Sequence, residues 1–266
     1  MRRELKSVGI IGAGKIGGSL LSRLAEGGEY DLGVSDVHRD RLARFAERYG
    51  VFTTTSNDEL AERSEIVIIA VKPWDVPVVL SEVYSAFHAD GRAAVSVAAG
   101  VTIEDISRRL PNGTPVVRVM PNVCAAIGLG SAVITANPSG RAVLPDVMRI
   151  FESVGDVIEL PERLFDAATA LHGSGPAYVA LFADALIQAG VREGIPRDIA
   201  RRLVSQTVQG TAVLLKEKSP HQVRDEVMTP GGTTAAAFAA MEKSGFVAAI
   251  YDGIGAATER ARRLAE

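Results

Sequence analysis

Six residues near the N-terminus, Gly12-Ala13-Gly14-Lys15-Ile16-Gly17, have the spacing G-x-G-x-x-G. They follow an apolar run at Val8–Ile11 and open a helical pattern over 14–25, which is the context in which this spacing binds a dinucleotide. Gly12 permits the tight turn, Gly14 lets the backbone approach the pyrophosphate, and Gly17 allows close helix packing. The free N–H groups and the dipole of the following helix attract the anion. The motif therefore predicts an NAD(P) site.

Cofactor choice depends on the residues that follow the second predicted strand. Asp36 stands where an acid binds the adenosine ribose hydroxyls of NAD. His38, Arg39 and Arg41 come next and offer positive charge to the 2′-phosphate of NADP. A carboxylate facing that phosphate at about 4 Å would cost about 4 kcal/mol per charge pair, but only if Asp36 points toward it rather than capping the next helix. The cationic cluster favours NADPH, with NADH as the alternative.

A second loop, Thr229-Pro230-Gly231-Gly232-Thr233-Thr234, has the composition of an anion site. Two glycines expose N–H groups, the threonines add hydroxyls, and a helix is predicted to start at 234, so the loop is suited to a carboxylate. The alternative is a plain turn with a helix cap. No metal site is expected, because the four histidines are scattered and the one cysteine, Cys124, is interpreted as a small buried thiol.

These residues need a scaffold, and the first half predicts a parallel, doubly wound sheet. Short apolar runs alternate with helical patterns, which is typical of that fold. The predicted strands are 8–11, 32–35, 66–71, 94–97, 116–119 and 131–134, and the predicted helices between them are 14–25 and 39–49. From about 164 onward no strand is predicted, and helices are expected at 177–190, 197–216, 220–226, 234–243 and 246–264. The sequence thus predicts a dinucleotide-binding domain over 1–160 and a helical domain over 161–266.

Composition limits the class of protein. The 266 residues are 47% hydrophobic and 23% charged with a net charge of −3, which fits a soluble globular protein without a basic field for nucleic acid. No apolar run is long enough for a membrane span, and the basic start Met1–Lys6 lacks the apolar stretch of a secretory signal. With one cysteine, a cytoplasmic location is expected. The predicted helix 177–190 is apolar on nearly all sides, so burial within a homodimer is expected, with burial inside one domain as the alternative.

Five further motifs together resemble one family. They are Ala70-Val71-Lys72-Pro73, Val97-Ala98-Ala99-Gly100-Val101, Arg118-Val119-Met120-Pro121-Asn122, Gly173-Ser174-Gly175-Pro176-Ala177-Tyr178 and the loop at 229–234. In this order and spacing the chain resembles pyrroline-5-carboxylate reductase over nearly its whole length. The resemblance implies an α/β Rossmann-type doubly wound domain followed by an all-α dimerisation domain. It also implies reduction of the cyclic imine 1-pyrroline-5-carboxylate to L-proline by NAD(P)H, the final step of proline biosynthesis.

The resemblance also implies roles for particular residues. The implied catalytic residue is Thr234, close to the imine nitrogen, and His172 is a second catalytic candidate because it lies beside one of the site motifs. The substrate carboxylate and ring would be held by Ser174, Thr229, Gly231, Gly232 and Thr233. The cofactor would be contacted by Ile11, Gly12, Ala13, Gly14, Lys15, Ile16, Asp36, Arg39, Asn57, Ala70, Val71, Lys72, Pro73, Val97, Ala98, Ala99 and Asn122.

Three positions depart from the family pattern. His172 stands where serine is usual, Val123-Cys124 replaces Thr-Pro, and Met228 replaces a small residue. His172 could donate a hydrogen bond or titrate near neutral pH, or simply pack beside a helix. These departures leave two alternatives to the implied activity: reduction of another cyclic imine, or a regulator that binds NAD(P) without catalysis.

Overall fold

A computed structural model describes residues 5–88 and 91–263. These residues form two compact units. One comprises the described residues through Ser174 together with those from Ala257 onward, and the other is Gly175–Ala256. The N-terminal segment Met1–Glu4 and position 264, where the last predicted helix was expected to end, lie outside the described residues.

The first unit is built on one eight-stranded sheet with the order β3-β2-β1-β4-β5-β6-β7-β8. Neighbouring strands are parallel except β6 and β7, which are antiparallel. The strands are β1 Lys6–Ile11, β2 Tyr30–Ser35, β3 Phe52–Thr54, β4 Ile66–Ile69, β5 Ala93–Ser96, β6 Val116–Pro121, β7 Gly130–Ala136 and β8 Gly155–Glu159. The predicted doubly wound sheet is confirmed. Because β1, β2, β4, β5 and β6 run parallel, their carboxyl ends meet at one edge.

Two strands were not predicted. β3 has only three residues, and β8 carries Asp156 and Glu159 at the sheet edge, where three of its five residues are exposed. Neither has the apolar run that marks a central parallel strand, such as Ile66–Ile69, all of which is buried. Both are held by pairing with a neighbour, β3 with β2 and β8 with β7, which local sequence does not reveal.

Helices cover both faces of this sheet, with separate apolar clusters beneath them. They are α1 Lys15–Gly27, α2 Arg39–Tyr49, α3 Asn57–Glu62, α4 Val76–Glu82, α5 Ile103–Ser107, α6 Leu144–Glu152 and α7 Phe165–Ala168. The first two match the predicted helices. The others were not predicted, and they are short, with four to nine residues each.

A buried ion pair fixes the segment that leaves the sheet. Arg118 on β6 is 5% exposed, and its guanidinium donates to Glu162 at 2.9 Å and stacks over the Phe165 ring. The same Glu162 oxygen accepts the N–H of Ile103 at 2.8 Å, at the start of α5. A charge this buried is costly unless paired, so the pair holds the chain after β8 against the sheet. That chain leads into residues 169–174.

The second unit consists of α8 Gly175–Arg192, α9 Arg197–Leu214, α10 Pro220–Val227 and α11 Thr233–Lys243, with the first part of α12 Phe246–Arg262. These match the five predicted helices, and the described residues after 160 contain no strand. In the described part of the chain, no helix is long and apolar enough to cross a membrane.

Candidate functional site

The glycine loop between β1 and α1 is held tightly at its first glycine. Gly12 has φ +101°, and its N–H donates to the Ser35 carbonyl at 2.8 Å, while the Ala70 N–H donates to the Ile11 carbonyl at 2.8 Å. A Cβ at Gly12 would lie 2.7 Å from the Ala70 carbonyl oxygen. Only glycine fits both the dihedral angle and the close approach, so this position serves the fold of the turn.

Gly14 is different, because no protein atom lies within 4 Å of a Cβ built there. It is the N-cap of α1, and no side chain caps that end. Lys15 and Ile16 then supply the first N–H groups of the helix, which have no partner within the helix. This open cradle at a helix N-terminus fits a dinucleotide pyrophosphate, as the motif predicts.

The Asp36 carboxylate is turned onto the glycine loop and the start of α2. It accepts the N–H of Ala13 and the N–H of His38, both at 2.8 Å, and the His38 ring lies 2.9 Å away. The Arg41 guanidinium lies 3.5 Å from Oδ2 of Asp36, and the Asp36 side chain is 6% exposed. Burial raises the pKa of Asp36, but the hydrogen bonds and Arg41 together outweigh it and hold that pKa below its ordinary value. Asp36 therefore clamps the glycine loop as an anion.

A basic groove of about 700 Å³ runs between α1 and α2 from the glycine loop. Ala13, Gly14 and Lys15 line its mouth, and Arg41 and Arg44 approach it from α2. Arg23 and Arg48 also line the groove, and Glu26 is the one acid among the described residues of its lining. Arg39, which the sequence put forward for the cofactor, does not line this groove. The sequence analysis missed Arg44, although its spacing of three residues from Arg41 puts both on one helix face.

The other segments expected at the cofactor meet at the same sheet edge. Ala70, Val71, Lys72 and Pro73 follow β4, and Val97, Ala98 and Ala99 follow β5. Asn57, the first residue of α3, accepts the hydroxyl of Ser35 at the end of β2 and donates to Glu82, both at 2.6 Å. The structure thus brings these residues to the carboxyl edge beside Gly14. Their contacts with a cofactor stay predictions.

Asn122 follows β6 at that edge and is 8% exposed. Its amide binds three backbone groups, including the carbonyl of His172 at 3.1 Å. His172 lies in a π-helical turn, Thr169–Gly173, which leads to Ser174. Within the described residues neither buried ring nitrogen of His172 makes a well-formed hydrogen bond, although the Ser131 backbone is a polar neighbour of the ring. Burial lowers the pKa of His172 below its ordinary value and Ser131 offsets only part of that effect, which favours a neutral ring over a proton-donating imidazolium.

The second predicted loop is a tight turn at the start of α11. The Gly232 N–H donates to the Thr229 carbonyl at 3.0 Å, and Gly231 has φ +68°, so Pro230-Gly231 forms the centre of a type II turn. Gly232 is the N-cap of α11, and no side chain caps it. Thr233 and Thr234 are the first two helical residues, so their N–H groups point out of the helix end. The loop belongs to the helical unit, whereas His172 and Ser174 belong to the sheet unit.

Comparisons with known proteins identify the family. Residues 162–264 match the family model described as pyrroline-5-carboxylate reductase dimerisation, and residues 7–100 match that described as NADP oxidoreductase coenzyme F420-dependent. The chain is 40% identical to the pyrroline-5-carboxylate reductase of Synechocystis sp. over 97% of each chain, and 41% identical to that of Thermus thermophilus over 96% of this chain and 97% of the relative.

Solved structures agree with these relatives. A pyrroline-5-carboxylate reductase from Coxiella burnetii is 30% identical with a TM-score of 0.93, and the match covers 99% of this chain and 100% of that one. The Plasmodium falciparum pyrroline carboxylate reductase with NADP bound is 29% identical with a TM-score of 0.86, covering 99% of each chain. The chain therefore belongs to the pyrroline-5-carboxylate reductase family.

Proposed function

We propose that this protein reduces the C=N bond of 1-pyrroline-5-carboxylate to give L-proline, with NADPH or NADH as the reductant. The observation that carries the proposal is the pairing of two anion cradles in a chain 40% identical to a named pyrroline-5-carboxylate reductase over 97% of its length. The cradle at Gly14 fits a pyrophosphate, and the turn Thr229–Gly232 before α11 fits a carboxylate. A dinucleotide-binding regulator would need only the first.

Different residues carry out different parts of the proposed reaction. The nicotinamide supplies the hydride when it is bound, so the protein binds, orients and handles the proton. The N–H groups at the start of α11 hold the substrate carboxylate, helped by the helix dipole. The nitrogen must end protonated, and the Thr234 hydroxyl orients it or relays a proton through water. His172 acts as a neutral hydrogen-bonding group rather than as an acid.

A steady-state assay tests the activity directly. Oxidation of NADPH and of NADH is followed with pyrroline-5-carboxylate and, in parallel, with a six-membered cyclic imine acid. Faster turnover of the five-membered substrate is expected. Oxidation of the cofactor with the six-membered imine alone would make the protein a reductase of another cyclic imine, and no oxidation with either would leave a regulator.

We further propose that NADPH is the preferred cofactor. Asp36 is turned onto the Ala13 N–H and paired with Arg41, so it neither holds a ribose nor strongly repels a phosphate. Arg41 and Arg44 at the mouth of the basic groove would bind the 2′-phosphate.

Arg44→Ala is expected to raise the Kd of NADPH about tenfold, because one charge-assisted hydrogen bond is lost, while the Kd of NADH stays unchanged. Nicotinamide fluorescence measures both constants. Arg39→Ala, outside the groove, is measured alongside as the matched variant. An NADPH-selective loss in Arg39→Ala but not in Arg44→Ala would move the phosphate site to Arg39.

We also propose a homodimer formed by the helices of 161–266. The family model described as pyrroline-5-carboxylate reductase dimerisation, which matches residues 162–264, supports this proposal. In the single chain α8 has no buried residue, and Leu181 is 70% exposed. Burying such a face needs a second copy. The protein is expected to be cytoplasmic. It is expected to bind the small imino acid as its substrate and to bind neither nucleic acid nor a membrane.

Sedimentation equilibrium is expected to give at least twice the 28.1 kDa chain mass at micromolar concentration. Leu181→Glu should dissociate the dimer, because a charge would be buried in an apolar interface. The control is Val78→Glu on α4, where the replaced side chain is also aliphatic and exposed but belongs to the sheet unit. This variant should stay dimeric. An active wild-type species of 28.1 kDa would contradict the proposal.

A further inference from the structure

The side chain of Asn122 forms its hydrogen bonds with backbone groups of the protein. Its Oδ1 accepts the N–H of Cys124 and the N–H of Ser131, each at 3.2 Å, and its Nδ2 donates to the His172 carbonyl at 3.1 Å. Its main chain also pairs with Ser131 and Ala125. An amide oxygen has two lone pairs, so Oδ1 is saturated and one Nδ2 proton is left on an 8% exposed side chain. Such a group is poorly placed to contact a cofactor.

The His172 carbonyl needs a hydrogen-bond donor from outside its own helix. In an α-helix the His172 carbonyl would accept the N–H four residues on, but that residue is Pro176, which has no N–H. The chain forms a π-helical turn here, closed by the Ser174 N–H on the Thr169 carbonyl at 3.0 Å. Such turns are rare and concentrate at functional sites. Asn122 satisfies the carbonyl that the proline leaves without a helical donor.

The π-turn is held close to the end of β6. A Cβ at Gly173 would lie 3.2 Å from the Met120 Cε, so the turn lies against the strand that Asn122 follows. The Ser131 backbone is a polar neighbour of the buried His172 ring but makes no well-formed hydrogen bond with it. The bond from Asn122 to the His172 carbonyl is a direct hydrogen bond between the end of β6 and the turn.

We propose that Asn122 is a positioning residue: it fixes the π-turn Thr169–Gly173 and thereby sets the position of Ser174 for the substrate. It acts through the backbone of His172 and not on the cofactor. The proposal rests on the proposed function for the role of Ser174, but the tie to the π-turn can be tested without it.

Asn122→Asp isolates this one bond. The carboxylate keeps acceptors for Cys124 and Ser131 but replaces the donor that faces the His172 carbonyl. Asn137 gives a matched control at the other end of β6: its Oδ1 accepts the N–H groups of Val116 and Gly140, and its Nδ2 donates to the Thr114 carbonyl. Asn137→Asp therefore removes the same kind of bond far along the strand from the π-turn.

Hydrogen exchange of the full-length variants is the first measurement. Asn122→Asp is expected to speed exchange in the peptide that contains the Ser174 amide by about tenfold, the effect of losing one supporting hydrogen bond of about 1.4 kcal/mol. The peptides with the Cys124 and Ser131 amides should change little, and Asn137→Asp should leave Ser174 protected. Unchanged exchange at Ser174 in Asn122→Asp would overturn the proposal whatever the activity.

Kinetics is the second measurement. Asn122→Asp is expected to raise KM for pyrroline-5-carboxylate about tenfold and to leave the Kd of NADPH within about twofold, whereas Asn137→Asp changes neither. A raised Kd of NADPH with an unchanged substrate KM would make Asn122 a cofactor contact and overturn the proposal, as would equal kinetics for the two variants. Should Asn122→Asp fail to fold, Asn122→Ser is measured by the same criteria.

Discussion

Gly14→Val is expected to abolish NADPH and NADH binding at ordinary assay concentrations while leaving the melting temperature almost unchanged. A Cβ at Gly14 meets no protein atom within 4 Å, so the folded chain accommodates the side chain. A valine side chain would fill this space, which lies beside the first N–H groups of α1 and would be taken by a bound anion. Losing about two charge-assisted hydrogen bonds of about 1.5 kcal/mol each raises Kd about 100-fold.

Variants of two other glycines serve as controls for this prediction. Gly27, at the other end of α1, also has open space at its Cβ, so Gly27→Val tests a valine in the same helix and should bind both cofactors normally. Gly12→Ala should instead lower stability, because φ +101° and the Ala70 carbonyl exclude a side chain. Titration by nicotinamide fluorescence and a thermal melt on all three variants separate binding from folding. Normal affinity in Gly14→Val would remove the glycine loop from the cofactor site.

The glycine loop was predictable because its requirements are local. A tight turn, a helix start and the preceding apolar strand all lie within Val8–Gly17, and each leaves a mark on residue type. The central strands were predictable for the same reason, since a strand buried on both faces must be apolar throughout. β3 and β8 were not, because pairing with β2 and β7 rather than composition makes them strands.

The directions of the side chains at the site could not be predicted from the sequence. Whether Asp36 faces a ribose or the Ala13 N–H depends on where the loop after β1 lies relative to β2, and the chain separates these by more than 20 residues. The tie from Asn122 to His172 joins residues 50 apart and exists only because β6 ends beside the π-turn. The place of Arg44 in the groove likewise depends on how α2 packs beside α1. Tertiary contacts, rather than motif spacing, decide these assignments.

In the proposed reaction, the turn before α11 separates carboxylate binding from proton handling within one loop. Gly232 is the N-cap, and its backbone with that of the next residues provides the N–H groups for an anion. Thr234 is the second helical residue and is half-buried, and its hydroxyl is not the cap of the helix. Removing that hydroxyl should therefore leave both the turn and the anion cradle intact.

Thr234→Ala is accordingly expected to lower kcat about 100-fold, the lower range for a general acid–base step, with a KM for the imine close to that of the wild type. The melting temperature should hold or rise slightly, because alanine favours a helix more than threonine does. Thr234→Ser, which keeps a hydroxyl, should recover most of the turnover. A raised KM with unchanged kcat would instead assign the hydroxyl to substrate binding, and normal kinetics with a lowered melting temperature would make Thr234 a structural residue.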